Sequence, residues 1–215
     1  MTYDLYIITD EAIAGGRTHA AIADQATAGG ADVIQLRDKR LGCRDLIRIG
    51  KQIREITRKS GTLFIVNDRL DVALACGADG VHLGQGDLSP GVARQLAPDP
   101  GFIIGVSVGS TQEAMQAETN GADYVAISPV FSTTSKPDAG SGHGLDLLRE
   151  IRSNISIPLI AIGGITRDNI GPVIYAGADG AAVISAVVSR KDSAAAAHEL
   201  KTMIVTSKQE RDNGT

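Results

Sequence analysis

The chain has no tryptophan, only three phenylalanines and four tyrosines among its 215 residues. Its core must therefore be aliphatic, built from Val, Ile, Leu and Ala, and a hydrophobic content of 43 % suffices for that. Cysteine is scarce as well: Cys43 and Cys76 are the only two and form no Cys-x-x-Cys pair, which reads as free thiols, buried or half-buried, in a reducing compartment. Positive charge is not in excess. A formal net charge of −4 argues against a broad grip on nucleic acid and leaves room only for a local basic cluster suited to a small anion. No apolar run approaches the roughly 20 residues that cross a bilayer. The opening stretch MTYDLYIITDE carries Asp4 and Asp10 and no basic region, so it does not read as a signal peptide. These absences predict a soluble cytoplasmic protein with small-molecule partners, no nucleic acid and no membrane. A homo-oligomer is left open, because no outward apolar face can be read from the chain alone.

What is present is a repeat. GGADVIQLR from Gly29, CGADGVHLG from Cys76, NGADYVAIS from Asn120 and AGADGAAVIS from Ala176 each place Gly-Ala-Asp before a short apolar run. Each follows a segment of helical character, so the glycine suits a helix C-cap with positive φ, and the apolar run suits a buried parallel strand. Further apolar runs at 5–10, 63–68, 102–107 and 157–165 bring the total to eight. Helix starts are marked between them: a capping box at Ser110–Glu113, Ser89 followed by Pro90, and Thr166 before RDNIGPVIYAG. Strands alternating with helices predict right-handed βαβ units. Eight units in this length predict a single-domain α/β fold over 1–205; a doubly wound open sheet would use the same alternation, but the fourfold repeat favours closure into a (β/α)8 TIM barrel. The polar end, 206–215, is expected to be a disordered tail.

Barrel enzymes place their chemistry at the C-terminal ends of the strands. After the second run, Gln35, Arg37 and Lys39 alternate in QLRDK and can present two cations to a phosphate or diphosphate. After the third and fourth, Asn67, Asp68, His82, Gln85 and Asp87 appear. Asp68 and Asp87 could hold Mg²⁺, act as an acid/base pair, or simply cap helices. His82 is read as packing or hydrogen-bonding rather than transferring a proton. Ser107 ends the fifth run. Gly163 and Gly164 end the seventh and would let a ligand approach the backbone, and Ser185 opens what is expected to be the last helix. Phosphate commonly binds to barrels at the loops after strands 7 and 8. The hydroxyl- and glycine-rich stretch FSTTSKPDAGSGHG, 131–144, resembles an interdomain linker in composition. The repeat continues past it, so it is read as a loop on the catalytic face, with Lys136 at its centre.

The motifs QLRDK, IVNDR, GADGVHLGQGD, SPVFSTTSKPD, IPLIAIGGI and AVISAV together resemble the thiamine phosphate synthase family over 6–188, nearly the whole domain. The resemblance implies condensation of 4-amino-2-methyl-5-hydroxymethylpyrimidine diphosphate with 4-methyl-5-(2-phosphoethyl)thiazole, through dissociative loss of diphosphate. It implies that Gln35, Arg37, Lys39 and Asn67 contact the pyrimidine diphosphate, and that Asp68 and Asp87 ligate Mg²⁺. Ser107 and Lys136 would bind the diphosphate, with Lys136, Ser107 and Arg37 the catalytic groups. Thr133, Ser135, Gly164 and the backbone at Ile184 and Ser185 would receive the thiazole phosphate. The sequence departs from the family pattern at Ser128-Pro129, where Gly-Pro is usual. It departs again at Ser135, where a threonine is usual but the hydroxyl is kept. His143, in the extended part of the loop, is assigned no role. Two rivals share the likeness: the thiazole tautomerase of the same fold, an isomerase, and a non-catalytic binder of a thiamine precursor. Neither has a diphosphate to stabilise by chemistry, so Lys39, Asp68 and Asp87 together favour the synthase.

Overall fold

The computed structural model describes residues 2–133, 135 and 142–214. Eight parallel strands close into a barrel in sequence order: β1 (Leu5–Ile8), β2 (Val33–Leu36), β3 (Leu63–Asn67), β4 (Gly80–Leu83), β5 (Ile103–Val108), β6 (Tyr124–Ile127), β7 (Leu159–Ile162) and β8 (Gly180–Val183). Closure is made by β1 against β8, with Leu5 opposite Ala181 and Ile7 opposite Val183. The helices between the strands are α1 (His19–Ala28), α2 (Cys43–Ser60), α3 (Leu70–Cys76), α4 (Pro90–Leu96), α5 (Thr111–Thr119), α6 (Gly144–Asn154) and α7 (Ile170–Tyr175). Two more, α8 (Ser185–Val188) and α9 (Ser193–Asn213), follow the last strand. The expected single (β/α)8 barrel is the observed fold. Among the described residues, no helix is long and apolar enough to cross a membrane.

Each letter of the Gly-Ala-Asp repeat has a separate job. Gly30, Gly77, Gly121 and Gly177 all sit at positive φ, between 69° and 106°, where an L side chain is strained. The alanine N–H that follows reaches back to the last helical turn, as in Ala31 to Ala26 O at 3.1 Å and Ala78 to Ala73 O at 2.9 Å. The aspartate then clamps the preceding strand. Its N–H donates to, and its carboxylate accepts from, one and the same residue: Asp32 with Leu5, Asp79 with Phe64, Asp123 with Ile104 and Asp179 with Leu159. The carboxylate is neutralised from a neighbouring helix by Lys201, Arg54, Arg94 or Arg152, at 2.6–2.7 Å. Four two-strand units, each tied at its N-terminal edge, thus build the closed wall.

The core is aliphatic as expected, with tyrosines at the barrel axis. Tyr6 and Tyr124 are almost fully buried. Gly105 on β5 makes room for Tyr124: a Cβ there would stand 2.0 Å from the Tyr124 ring.

Three expectations are corrected. Residues 206–213 are helical, not disordered. They complete α9, where Ser207 is buried, Lys208 pairs with Asp4, and Arg211 reaches the Ile174 and Ala178 carbonyls. The charged pattern read as tail is the solvent face of a helix whose other face packs on α7 and β1. Thr166 does not cap α7, because the helix begins at Ile170 with Asn169 before it. Thr166 opens the preceding turn, its N–H donating to Asn169 Oδ1 at 2.8 Å. Ser185 opens the short α8, and α9 is the last helix. The capping signals at Ser89 and Ser110 match the structure: each hydroxyl accepts an N–H from the residue three further on.

Asp79→Ala removes both an acceptor for a strand N–H and the partner of a largely buried guanidinium. It should destabilise the fold by about 2–4 kcal/mol in urea unfolding, far more than removal of a surface carboxylate.

Candidate active site

One half of the barrel mouth is built by β2, β3 and β4. Gln35 is buried at the end of β2, and its carbonyl accepts the N–H of Thr9 at 2.9 Å. Arg37 follows the strand, half-buried, and Lys39 stands exposed in the bend beyond it. Asn67 is the last residue of β3. Asp68 is the only non-glycine residue at positive φ among those described, at 62°. Its N–H donates to His82 O at 2.8 Å, which holds the strained residue against β4. Asp87 is not a helix cap, since Ser89 fills that place. Instead its carboxylate accepts Gly84 N–H at 2.7 Å and its own N–H donates to Gly84 O at 3.1 Å.

Asp68 and Asp87 share one locality with the two cations. Burial raises the Asp68 carboxyl above the ordinary carboxylate range, and the neighbouring Asp87 raises it further, while Lys39 and Arg37 pull it down. Two hard oxygen donors flanked by positive side chains suit a divalent cation together with a phosphorylated ligand. Among the described residues there is no group of three or more His, Cys, Asp or Glu arranged for a metal.

The turn bearing Arg37 and Lys39 is pinned by groups the sequence reading passed over. Asp38 accepts the Arg40 and Leu41 N–H groups at 2.7 and 3.3 Å and pairs with the Arg40 guanidinium at 3.1 Å. Behind it lies the fully buried His19, whose Nε2 is 3.5 Å from Asp38 and whose Nδ1 is 2.7 Å from Thr9 Oγ1. Burial alone would raise the Asp38 carboxyl, but the Arg40 bonds outweigh it and hold it at about 2. Asp38 lay inside the QLRDK motif, and only its contacts reveal that it positions its neighbours.

The other half of the mouth is a pocket between the loops after β6, β7 and β8. Thr133, Ser135, Gly164, Ile184 and Ser185 line it, together with Ser128. Ser135 Oγ lies 3.3 Å from Ser185 Oγ, and the Ser135 N–H donates to Thr133 Oγ1 at 3.2 Å. Gly163 and Gly164 admit the protein's own backbone. A Cβ on Gly163 would stand 2.4 Å from Pro129 Cβ, and one on Gly164, at φ 63°, would stand 2.6 Å from Ser132 O. The inferred approach of a ligand is thus joined by a packing need: Val130 and Phe131 N–H donate to Ile162 O and Gly163 O. At its far end the loop is stapled to its own start, with His143 N–H on Pro129 O and Gly144 N–H on Val130 O, both 2.9 Å. Stretch 131–144 is therefore a loop closed at its base, not a linker. Lys136 lies outside the described residues, as do 134 and 137–141.

Between the two halves Ser107, on β5, meets His82. The imidazole is buried, with Nε2 2.9 Å from Ser107 Oγ and Nδ1 2.9 Å from the Tyr124 hydroxyl. Each ring nitrogen thus has a hydrogen-bond partner, in keeping with a hydrogen-bonding role. Nothing in the sequence pattern pairs it with a tyrosine 42 residues away.

Fold and site together define a (β/α)8-barrel protein with two groups of polar residues at the C-terminal ends of its strands: Asp68 and Asp87 near Arg37 and Lys39, and a pocket whose lining includes hydroxyls and Gly164. The chain belongs to the family described as Thiamine monophosphate synthase, whose profile matches residues 5–187. It is 64 % identical over 210 residues to the thiamine-phosphate synthase of Methanoregula boonei, covering 98 % of this chain and 97 % of that one. It is 61 % identical to the thiamine-phosphate synthase of Methanoculleus marisnigri, covering 98 % and 99 %. The solved thiamine phosphate pyrophosphorylase from Pyrococcus furiosus superposes with a TM-score of 0.88 at 43 % identity, over 95 % of this chain and 96 % of that one. The chain is accordingly a transferase of thiamine biosynthesis.

Because the Asp38 carboxyl is depressed in the folded state, its contribution is present above the ordinary carboxylate pKa and is lost as pH falls toward 2. Asp38→Asn should cost about 1–2 kcal/mol of stability at pH 7. In urea titrations the gap to the parent should hold down to about pH 4.5 and shrink below it. A gap independent of pH would remove the charge from the explanation.

Proposed function

We propose that this barrel joins 4-amino-2-methyl-5-hydroxymethylpyrimidine diphosphate to 4-methyl-5-(2-phosphoethyl)thiazole, yielding thiamine phosphate and diphosphate. The observation that supports the reading is the presence of two separate groups of polar residues at the C-terminal ends of the strands. Arg37 and Lys39 act on the locality of Asp68 and Asp87 on one side, and Thr133, Ser135, Gly164 and Ser185 line a pocket on the other. One site suits a diphosphate and the other a monophosphate, and the two substrates carry one of each.

In this reading Gln35 and Asn67 contact the pyrimidine diphosphate, and Arg37 and Lys39 meet its phosphates. The methylene–oxygen bond breaks with its electron pair leaving on the diphosphate, and the thiazole nitrogen lone pair forms the new carbon–nitrogen bond. No covalent intermediate with the protein is needed for this exchange. The demand on the site is to stabilise charge on the departing group, and preorganised cations and hydroxyl donors do that. Arg37, Ser107 and Lys136 take this role, with Lys136 delivered by the loop that follows β6. Thr133, Ser135, Gly164 and the backbone at Ile184 and Ser185 hold the thiazole phosphate. Asp68 and Asp87 offer hard carboxylate oxygens beside a diphosphate, a donor set that fits Mg²⁺. Bound there, that ion would supply further neutralisation of the diphosphate charge. The substrates are small soluble metabolites, and the reading places the enzyme in the cytoplasm.

The test mixes purified protein with both substrates, with Mg²⁺ or with a chelator, and follows thiamine phosphate. Product that forms only with Mg²⁺ is expected. Product unaffected by the chelator would overturn the two-carboxylate assignment. No product despite binding of both substrates would overturn the synthase reading. Asp87→Ala should lower turnover by about a hundredfold or more while thiazole phosphate still binds. Lys136→Ala should slow turnover far more than it weakens thiazole binding.

A further inference from the structure

The proposed chemistry leaves unexplained a line of buried polar groups that crosses the barrel from β2 to β5. Gln35 Nε2 donates to the Tyr6 hydroxyl at 2.7 Å, and Tyr6 and Tyr124 hydroxyls are 2.9 Å apart. Tyr124 is 2.9 Å from His82 Nδ1, and His82 Nε2 is 2.9 Å from Ser107 Oγ. Tyr6 is 1 % and Tyr124 0 % exposed, so each phenol proton must be given to a protein acceptor.

That requirement orders the line. Tyr6 accepts from the Gln35 amide, and among the described residues the acceptor its own proton meets is Tyr124. Tyr124, accepting from Tyr6, must donate onward to His82 Nδ1. An imidazole that accepts at Nδ1 is neutral and carries its hydrogen on Nε2, which donates to Ser107 Oγ. The serine oxygen is thereby occupied as an acceptor, and its own hydrogen is left to be donated at the end of β5. Burial pushes both phenols well above their ordinary range, so they remain protonated donors. If the Gln35 amide were turned over, every bond would reverse and Ser107 would offer its lone pair to the site, which is wrong for an anion.

We propose that Tyr6, Tyr124 and His82 are positioning residues for the reaction: they hold His82 in the Nε2–H tautomer and so fix the Ser107 hydroxyl as a donor to an anionic oxygen of the bound substrate. The proposal rests on the reading that Ser107 meets the diphosphate. It concerns where a proton sits, not the titration of His82. Its action is through Ser107, at the point where charge develops on the leaving group, so the effect belongs in turnover rather than in binding.

The first test needs no substrate. In ¹⁵N-histidine-labelled full-length protein, the signals of His82 are identified among the four histidines by their loss in His82→Gln. The Nε2–H tautomer is expected, with Nδ1 resonating as an unprotonated acceptor. An Nδ1–H tautomer would overturn the proposal whatever the enzyme's reaction, while failure to form thiamine phosphate would strike the functional reading instead. The second test is kinetic. Tyr124→Phe keeps the ring and removes the donor to Nδ1. It should lower kcat about tenfold with KM for both substrates nearly unchanged, and should have no further effect in a Ser107→Ala background. Equal losses in both backgrounds would show simple packing and overturn the relay. Tyr6→Phe, one link further back, reads the same coupling if Tyr124→Phe does not fold.

Discussion

Four half-buried aspartates at the N-terminal edge of the barrel hold the rest of the molecule in place. Each lies at a point where a strand begins and a helix has just ended, and each ties its own strand to the previous one through both its backbone and its carboxylate. The strand N–H that each carboxylate accepts would cost free energy if left buried and unpaired. The aspartate meets that need, and a cation from an adjacent helix meets the aspartate's. Because every second strand is tied in this way, register is set around the whole ring at the end remote from the chemistry. The C-terminal ends can then carry loops chosen for ligands.

Those loops are seated by absence of side chains. Gly163 and Gly164 allow the backbone after β6 to lie directly on the end of β7, which gives the polar loop a fixed base. Gly105 does the same inside the barrel, where it yields its volume to Tyr124. The tyrosine in turn brings a hydroxyl to the axis, where it meets Tyr6 and His82. In a chain without tryptophan and with few other aromatics, these two rings fill the centre and order the polar groups above them.

The site has its strain where its charge is. Asp68 occupies a left-handed backbone conformation that aspartate tolerates better than most residues but that still requires support. The support comes from the neighbouring strand through the His82 carbonyl, the same residue whose ring meets Ser107. One short strand, β4, therefore positions a carboxylate with its backbone and a hydroxyl with its side chain, on adjacent sides of the mouth.

The sequence by itself determined the barrel, the order of its strands and the polar residues at their C-terminal ends. Such information is local: a helix cap, a β-branched run and the residue after it lie within ten positions of one another, and the fourfold repeat supplies the count. It also marked 131–144 as a loop of the catalytic face, because the periodicity ran on beyond it. Only the tertiary structure decided what the repeated aspartate is for, since its partners Leu5 and Lys201, or Phe64 and Arg54, lie on other elements. It alone placed 206–213 in a helix, because the face that buries Ser207 is created by α7 and β1 and not by the residues' own propensities. The line from Gln35 to Ser107 was equally unreadable. Hydrogen bonds between residues 25 to 118 apart leave no periodic trace in a chain, and their direction follows from a burial that exists only once the barrel has closed.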